Sequence, residues 1–233
     1  MYTTEAPPRP MHRQFPGGPP LAGLAAVSTA LFLTGLIAST AMAGTAFPSP
    51  FDSGASILVY FHSHQDAVKV SAFFQFAAAV PLAIYGATAS VRLRNLGIRA
   101  PGASIAFAGG VLAAVFLAVS GVVSWALAQP AVPASAPLVR ALCALSFAAG
   151  GPGSVVPLGL LIAGLAVPAA FGALLPRWLT ATGLILAVAA EFSSLCLLAS
   201  GFAYLLPVAR FGGLAWLITA GALLPTTRSR ASQ

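Results

Sequence analysis

The stretch WLTATGLILAVAAEFSSLCLLAS, residues Trp178–Ser200, is apolar enough to lie in a bilayer, yet it contains Glu191 near its middle. Its 23 residues exceed the roughly 20 that an α-helix needs to cross a hydrocarbon core. A charged side chain at the bilayer centre costs about 2.5–3.5 kcal/mol on insertion scales, so this carboxyl group needs a partner, a proton or a water-filled niche. The stretch therefore predicts a membrane-spanning helix with a polar site.

The composition of the whole chain indicates a membrane protein. Hydrophobic residues occupy 58% of the 233 positions and charged residues only 6%, whereas a soluble domain contains about 25% charged residues. Several apolar runs approach or exceed spanning length, while an outer-membrane barrel would show alternating segments of about 10 residues. We therefore predict an all-α, polytopic transmembrane helical bundle.

Six apolar runs are predicted to cross the membrane, and a short helix near residues 53–62 is predicted to lie at the outer surface because it is too short to span. The first 20 residues are rich in proline and glycine without an apolar period, which predicts a disordered cytoplasmic tail. Residues 21–225 form the transmembrane domain, and residues 226–233 are predicted to be a second cytoplasmic tail. The predicted spans are 21–43, 66–91, 103–127, a kinked 138–175, 178–200 and 208–224.

The first span ends in Ala41-Met42-Ala43, which mimics a signal-peptidase site, so removal of residues 21–43 is an alternative. Because the apolar core of a signal peptide is typically 7–15 residues and this run is longer, we favour an uncleaved helix.

The distribution of positive charge predicts the orientation, since basic residues collect in cytoplasmic loops. With six spans, most arginines fall inside; with seven, Arg177 and the C-terminal arginines could not both be inside. The asymmetry therefore favours six spans and two cytoplasmic termini. The residues predicted to be inside are Arg9, Arg13, Arg92, Arg94, Arg99, Arg177, Arg228 and Arg230, and those predicted to be outside are Lys69, Arg140 and Arg210.

The fourth span contains residues that disfavour a regular helix. Glycine lowers helix propensity, and proline lacks the backbone N–H and clashes with the preceding turn. The span is thus either one long kinked helix or two halves broken near membrane depth, as in transporters that present unwound backbone to a solute. The residues of this predicted break are Gly150, Gly151, Pro152, Gly153 and Pro157.

Glu191 is predicted to be linked to Arg140, Arg210 or both, because these arginines begin the spans on either side of it in the sequence. Gln75 and Ser194 are predicted as polar neighbours. One interpretation is a helix-packing lock that excludes lipid; the other is a site that exchanges a proton or contacts a solute.

The remaining candidates for chemistry are weaker. His62, His64 and Asp66 lack an apparent fourth ligand, so no metal site is predicted, and no cofactor is expected. Cys143 and Cys196 are interpreted as small buried hydrophobes, with a disulfide left open. The net charge of +7 comes without a dense basic cluster, so nucleic acid is not an expected partner.

Six local patterns lie along the apolar part of the chain: Tyr60-Phe61, Gly150-Gly151, Gly159-Leu160-Leu161, Leu175-Pro176-Arg177-Trp178, Gly183-Leu184 and Trp216-Leu217. Together they resemble a family of multi-pass bacterial integral membrane proteins of the actinobacterial type that has no assigned function. The resemblance covers roughly residues 55–225, and ten Arg against one Lys suits such a source. It implies a six-span protein of the plasma membrane and supplies no activity.

From the sequence we interpret the protein as a non-catalytic component of the bacterial plasma membrane. Its partners are the lipid bilayer and, through small-residue helix faces, further copies of itself or other membrane proteins. The alternative is a small-solute or proton-coupled transporter with an outward-facing Glu/Arg site. An enzyme is not expected, because the sequence lacks phosphate-loop, nucleophile-elbow and His-Glu-x-x-His patterns.

Overall fold

The computed structural model describes residues 18–98, 100–132 and 135–226. Every regular element in these ranges is helical, and six helical stretches are long and apolar enough to cross a membrane. The predicted all-α bundle of six spans is therefore confirmed. Arg99 and the two predicted tails, apart from residues 18–20 and 226, lie outside the described residues.

The described chain forms eight α-helices, and two of them together make one span. A π-helical turn at Ala149–Gly153 joins α5 to α6, so that the combined span runs over 36 residues. Short 3₁₀ turns at Ser193–Leu197 and Ser200–Tyr204 connect α7 to α8. The helices are α1 (Leu21–Ala43), α2 (Gly54–Ser63), α3 (Gln65–Asn95), α4 (Gly102–Leu127), α5 (Ala136–Ala148), α6 (Ser154–Phe171), α7 (Arg177–Phe192) and α8 (Leu205–Leu223).

The bundle has two ends, which we name from their residues. The Arg92 end contains the connections α3–α4 and α6–α7, and the α2 end contains α2 with the connections α4–α5 and α7–α8. The start of α1 and the end of α8 meet at the Arg92 end, where a Cβ built on Gly221 would lie 2.9 Å from the carbonyl carbon of Leu21. The described chain therefore begins and ends at the same end of the bundle.

Small residues bring the central helices into backbone contact. A Cβ built on Gly86 of α3 would lie 2.9 Å from Cα of Gly110 in α4, and one built on Gly109 would lie 2.4 Å from the backbone nitrogen of Leu161 in α6. Close approach through small residues is typical of helix packing in membranes, where the hydrophobic effect does not drive helices together. These small-residue faces are used inside the bundle.

Two long-range hydrogen bonds also join the spans near the Arg92 end. The Tyr85 hydroxyl of α3 donates to the carbonyl of Leu217 in α8 at 3.0 Å, and the indole Nε1 of Trp216 donates to the carbonyl of Leu179 in α7 at 2.7 Å. Both donors belong to buried side chains. Buried polar groups need such partners, so these bonds stabilise the placement of α8 against α3 and α7.

The short helix α2 closes one end of the bundle, where the sequence predicts an outer helix. Its N-cap is Ser53, whose hydroxyl accepts from the backbone N–H of Ser56 at 3.2 Å. Ile57 and Phe61 of α2 are almost completely buried, in a cluster with Val139 from α5. This packing holds α2 over the ends of the spans.

The two cysteines do not form a disulfide. Cys143 and Cys196 are both free and buried, and they belong to different apolar clusters: Cys143 packs with the α2 residues and Cys196 with Ala190 and Leu206. Both therefore act as small hydrophobic side chains, as in the simpler interpretation of the sequence.

Candidate functional site

A cavity of about 370 Å³ lies between the spans in the half of the bundle nearer the α2 end. Its walls come from α1, α3, α4, α5, the π turn and α8, and the segment between α1 and α2 lies over it. A cavity of this size is in the range of small-molecule sites, which run from about 300 to 1,000 Å³. Its polar lining residues are Ser49, Ser71, Gln75, Ser120, Ser124, Ser146 and Arg210.

The depth of the cavity follows from helix geometry. Arg210 lies 13 residues before the end of α8, which is about 20 Å along the axis at 1.5 Å per residue. Gln75 lies 20 residues before the end of α3, or about 30 Å. Measured against a hydrocarbon core about 30 Å thick, both residues lie in the half of the bundle nearer the α2 end.

One wall of the cavity is a chain of neutral polar side chains. Gln75 Nε2 donates to Ser120 Oγ at 2.9 Å, and Ser120 Oγ donates to the backbone carbonyl of Ser146 at 2.9 Å. The hydroxyl groups of Ser124 and Ser146 lie 2.8 Å apart. This network joins α3, α4 and α5, and its amide and hydroxyl groups can both donate and accept hydrogen bonds.

The lining also contains Arg210 of α8. Its guanidinium donates to the backbone carbonyl of Gly150 and lies 5.2 Å from the centre of the Phe32 ring of α1, within cation–π distance. Among the described residues that line the cavity, Arg210 is the one with a charged side chain. The cavity therefore has an excess of positive charge.

The bend in the fourth span explains why the carbonyl of Gly150 can accept this bond. Gly151 has dihedral angles outside the helical range, with φ −77° and ψ −107°, and the backbone N–H of Ser154, which a regular α-helix would direct to the Gly150 carbonyl, bonds to the Gly151 carbonyl instead. The regular ladder of backbone hydrogen bonds is thus interrupted at the cavity wall. Of the residues predicted to break the span, Pro157 instead lies within α6.

The segment between α1 and α2 covers the cavity. The Phe47 ring packs edge-on against Phe61, at 5.4 Å between ring centres, and also against Tyr60. Phe51 packs edge-on against Phe147 of α5 at 5.5 Å. Burial raises the pKa of the Tyr60 hydroxyl, so this residue stays neutral beneath the segment.

Glu191 lies away from this cavity, and the structure differs here from the ion pair expected from the sequence. Glu191 is exposed on the outside of α7, next to the exposed Val188 and Phe192. Ser194 donates to its backbone carbonyl at 2.6 Å rather than to its carboxylate. In the described ranges the one ion pair is Lys69 with Asp66, at 2.9 Å.

Helix length explains why Arg140 does not reach Glu191. Arg140 is 31 residues before the end of α6, about 46 Å along the bent helix, whereas Glu191 is 14 residues after the start of α7, about 21 Å. The long fourth span thus places Arg140 at the α2 end, beside α2, where its Nη1 would lie 3.2 Å from a Cβ built on Gly54. Arg210 is at a depth similar to Glu191 but faces the cavity.

Of the predicted site residues, the structure brings together Arg210, Gln75 and Gly150, and it leaves Glu191, Arg140 and Ser194 outside. Sequence reasoning missed the serines, because single hydroxyl groups in apolar helices are common and show no pattern. Two signals were present: Ser120 and Ser124 are four residues apart on one face of α4, and Ser71 and Gln75 are four residues apart on one face of α3.

Among the described residues, no group of three His, Cys, Asp or Glu side chains could hold a metal ion. The cavity offers hydrogen-bonding groups and one cation, which can bind a polar molecule. Compared with known proteins, the chain matches no family model, no curated protein and no solved structure. The function of the cavity therefore has to be argued from its own geometry and charge.

Proposed function

We propose that the protein binds a small polar solute in the cavity next to Arg210 and moves it across the membrane. The observation that supports this proposal is a group of hydrogen-bonding side chains and one arginine in an otherwise apolar cavity in the half of the bundle nearer the α2 end. Many transporters bind their substrates near the bilayer midplane, beside a helix whose backbone is interrupted. Here the interrupted backbone is at Gly150 and Gly151.

The chemistry of the cavity argues for a solute rather than a packing defect. Most of the lining is apolar, with a few polar side chains among it, which is the usual make-up of a small-molecule site, and those polar side chains can hold water or a ligand by hydrogen bonds. At about 30 Å³ for each water molecule, a 370 Å³ cavity has room for about a dozen. A polar molecule with about as many non-hydrogen atoms would fit.

The second candidate is a non-catalytic membrane component that assembles with another protein. It is supported by Glu191, a carboxyl group on a face of α7 that is otherwise apolar and exposed. Such a group is stabilised by a basic side chain of a neighbouring membrane protein or by water at the membrane surface. Neither candidate requires catalysis, and we propose that the protein is not an enzyme.

We further propose that the α2 end faces the outside of a bacterial plasma membrane and that both termini are cytoplasmic. The described arginines Arg92, Arg94 and Arg177 lie at the other end of the bundle, which fits the excess of basic residues in cytoplasmic loops. The resemblance to multi-pass actinobacterial membrane proteins fits the same location.

A swelling assay tests the proposed transport with a panel of solutes, so the natural solute need not be identified first. Vesicles containing the purified protein are mixed with isosmotic polyols, sugars, organic acids or amino acids, and light scattering measures the rate of entry. We expect at least one solute to enter faster than in empty vesicles. We also expect Ser71→Phe, which fills the cavity, to abolish this difference.

The matched control is Ser104→Phe, because Ser104 is an exposed helical serine near the Arg92 end. It should leave entry unchanged. If no solute enters faster with the wild-type protein than without it, the proposed transport is wrong. A solute that binds without entering would favour the second candidate.

A further inference from the structure

We infer that the solute is a small monoanion, a hydroxylated carboxylic acid, whose carboxylate is held by Arg210 and whose hydroxyl groups are held by the Gln75–serine network. This inference rests on the proposed function, because it names the class of molecule that the cavity would bind.

The cavity contains a positive charge that no described lining residue balances with a full negative charge. The described acidic residues, Asp52, Asp66 and Glu191, do not line the cavity, where Arg210 provides a positive charge. A cation near the middle of a membrane is costly unless an anion or a set of hydrogen bonds compensates it. The Gly150 carbonyl and the Phe32 ring compensate it only with partial charge. An anionic solute would supply the missing negative charge.

The guanidinium of Arg210 is held in one orientation by two contacts. Arginine has five N–H donors in a planar fork that matches the two oxygens of a carboxylate. One donor is bound to the Gly150 carbonyl, and the Phe32 ring lies 5.2 Å from the guanidinium carbon. These two contacts hold the fork in place before a solute arrives. The donors that Gly150 does not use are then available for a carboxylate.

The other hydrogen-bonding side chains of the lining that form a network are uncharged. Gln75, Ser120, Ser124 and Ser146 are neutral and can donate and accept, which suits hydroxyl groups. An ammonium group would need a carboxylate, and the described lining residues include none. A second negative charge would need another cation. The lining thus favours a hydroxylated monoanion over an amino acid, a cation or a dianion.

The experiment compares six-carbon compounds of similar size on the wild-type protein in detergent. Gluconate has one negative charge, glucose is neutral, protonated glucosamine is positive, and glucarate has two negative charges. Hexanoate keeps the carboxylate but has no hydroxyl groups, and inorganic phosphate is an anion without the carbon chain. Binding is measured by calorimetric titration at neutral pH.

We expect gluconate to bind at least about tenfold more tightly than every other compound, which corresponds to about 1.4 kcal/mol. Equal or tighter binding of glucose, glucosamine or glucarate would overturn the inferred charge. Equal or tighter binding of hexanoate or phosphate would overturn the role of the hydroxyl groups. Absence of gluconate binding would also overturn the inference, whereas the proposed transport is tested separately by the Ser71→Phe comparison.

Variants test the assigned residues. Arg210→Gln should remove the preference for gluconate over glucose, and Gln75→Leu should reduce the preference for gluconate over hexanoate. The matched control is Arg94→Gln, because Arg94 is exposed near the Arg92 end and should not affect binding. If Arg210→Gln binds gluconate as the wild type does, the assignment is wrong. Should that variant fail to fold, the comparison on the wild-type protein still decides the class of solute.

Discussion

Two charged side chains lie within spans that flank the α7–α8 connection, and their surroundings differ. Arg210 faces a polar cavity, contacts the carbonyl of Gly150 and lies beside an aromatic ring. Glu191 is at a similar depth but is exposed on the outside of α7. The sequence shows that both lie in apolar runs, which makes each a functional-site hypothesis. It does not show which face of the helix each occupies, because that depends on how the helices pack.

Because Glu191 is exposed on the outside of α7, we expect solute binding in the cavity not to depend on its carboxyl group. We expect Glu191→Gln and Glu191→Leu to bind gluconate as the wild type does. The Leu variant should unfold at the same or a higher temperature, because a charged group in the apolar layer costs up to about 3 kcal/mol. Thermal unfolding and calorimetric titration in detergent measure the two quantities. Loss of gluconate binding in either variant would contradict this view of the site.

The close contact of α4 with α6 predicts that Gly109 does not tolerate a side chain. A Cβ at this position would lie 2.4 Å from the backbone nitrogen of Leu161 and 2.7 Å from the carbonyl oxygen of Pro157. We expect Gly109→Ala to lower the free energy of unfolding by about 1–3 kcal/mol, the usual cost of overpacking. Denaturation in detergent provides the measurement.

The control for Gly109 is another helical glycine with free space around it. Gly23 of α1 is exposed, and a Cβ there would meet its nearest atom, in Pro20, at 3.4 Å. Gly23→Ala should be neutral or slightly stabilising, since alanine favours a helix over glycine by roughly 0.5–1 kcal/mol. Equal effects of the two substitutions would show that the α4–α6 contact is less tight than described.

At the scale of elements, the bent fourth span connects the fold to the site. A sequence of three glycines and a proline predicts an interruption, because these residues disfavour a regular helix. The π turn at Ala149–Gly153 is found at those residues. The contact of its Gly150 carbonyl with Arg210 was not predictable, since it depends on where α8 packs against a helix 60 residues away in the chain.

A methyl group added at Gly150, in the bend of the fourth span, is expected to disturb the polar side chains of the cavity. A Cβ there would lie 2.4 Å from Ser120 Oγ and 3.1 Å from Gln75 Nε2, so it would displace the polar network. We expect Gly150→Ala to weaken gluconate binding roughly 5-fold or more, because a lost hydrogen bond costs about 1 kcal/mol. Calorimetric titration measures this change. Gly201→Ala is the control, since nothing lies within 4 Å of a Cβ at Gly201.

We expect the aromatic contacts of the segment between α1 and α2 to limit the entry of small molecules into the cavity. Removing the Phe51–Phe147 pair should open the segment more often, since an aromatic pair contributes about 0.5–1.5 kcal/mol. We expect Phe51→Ala to raise the rate at which a small thiol reagent modifies Cys143, which lines the cavity, by roughly 2- to 10-fold. The measurement uses a Cys196→Ala background. Phe171→Ala, an exposed position at the Arg92 end, should leave the rate unchanged.

At the scale of the whole molecule, six spans could be predicted because each is a long apolar run, a property of the local sequence. The cavity could not be predicted in the same way. Its polar lining comes from one or two residues of each of several elements, and α3 and α4 alone show a recognisable spacing. The even number of spans also puts the start of α1 and the end of α8 at one end of the bundle, so a single experiment can orient the whole domain.

Labelling of single cysteines on intact cells provides that experiment. Ser200 is exposed at the α2 end and Ala100 at the Arg92 end, and both lie at or between helix ends. With the native cysteines replaced by alanine, we expect a membrane-impermeant thiol reagent to modify Ser200→Cys on intact cells and Ala100→Cys only after permeabilisation. The physical reason is the positive charge at Arg92, Arg94 and Arg177, which favours the cytoplasmic side. The reverse labelling would contradict the proposed orientation and place the α2 end, with the cavity, on the cytoplasmic side.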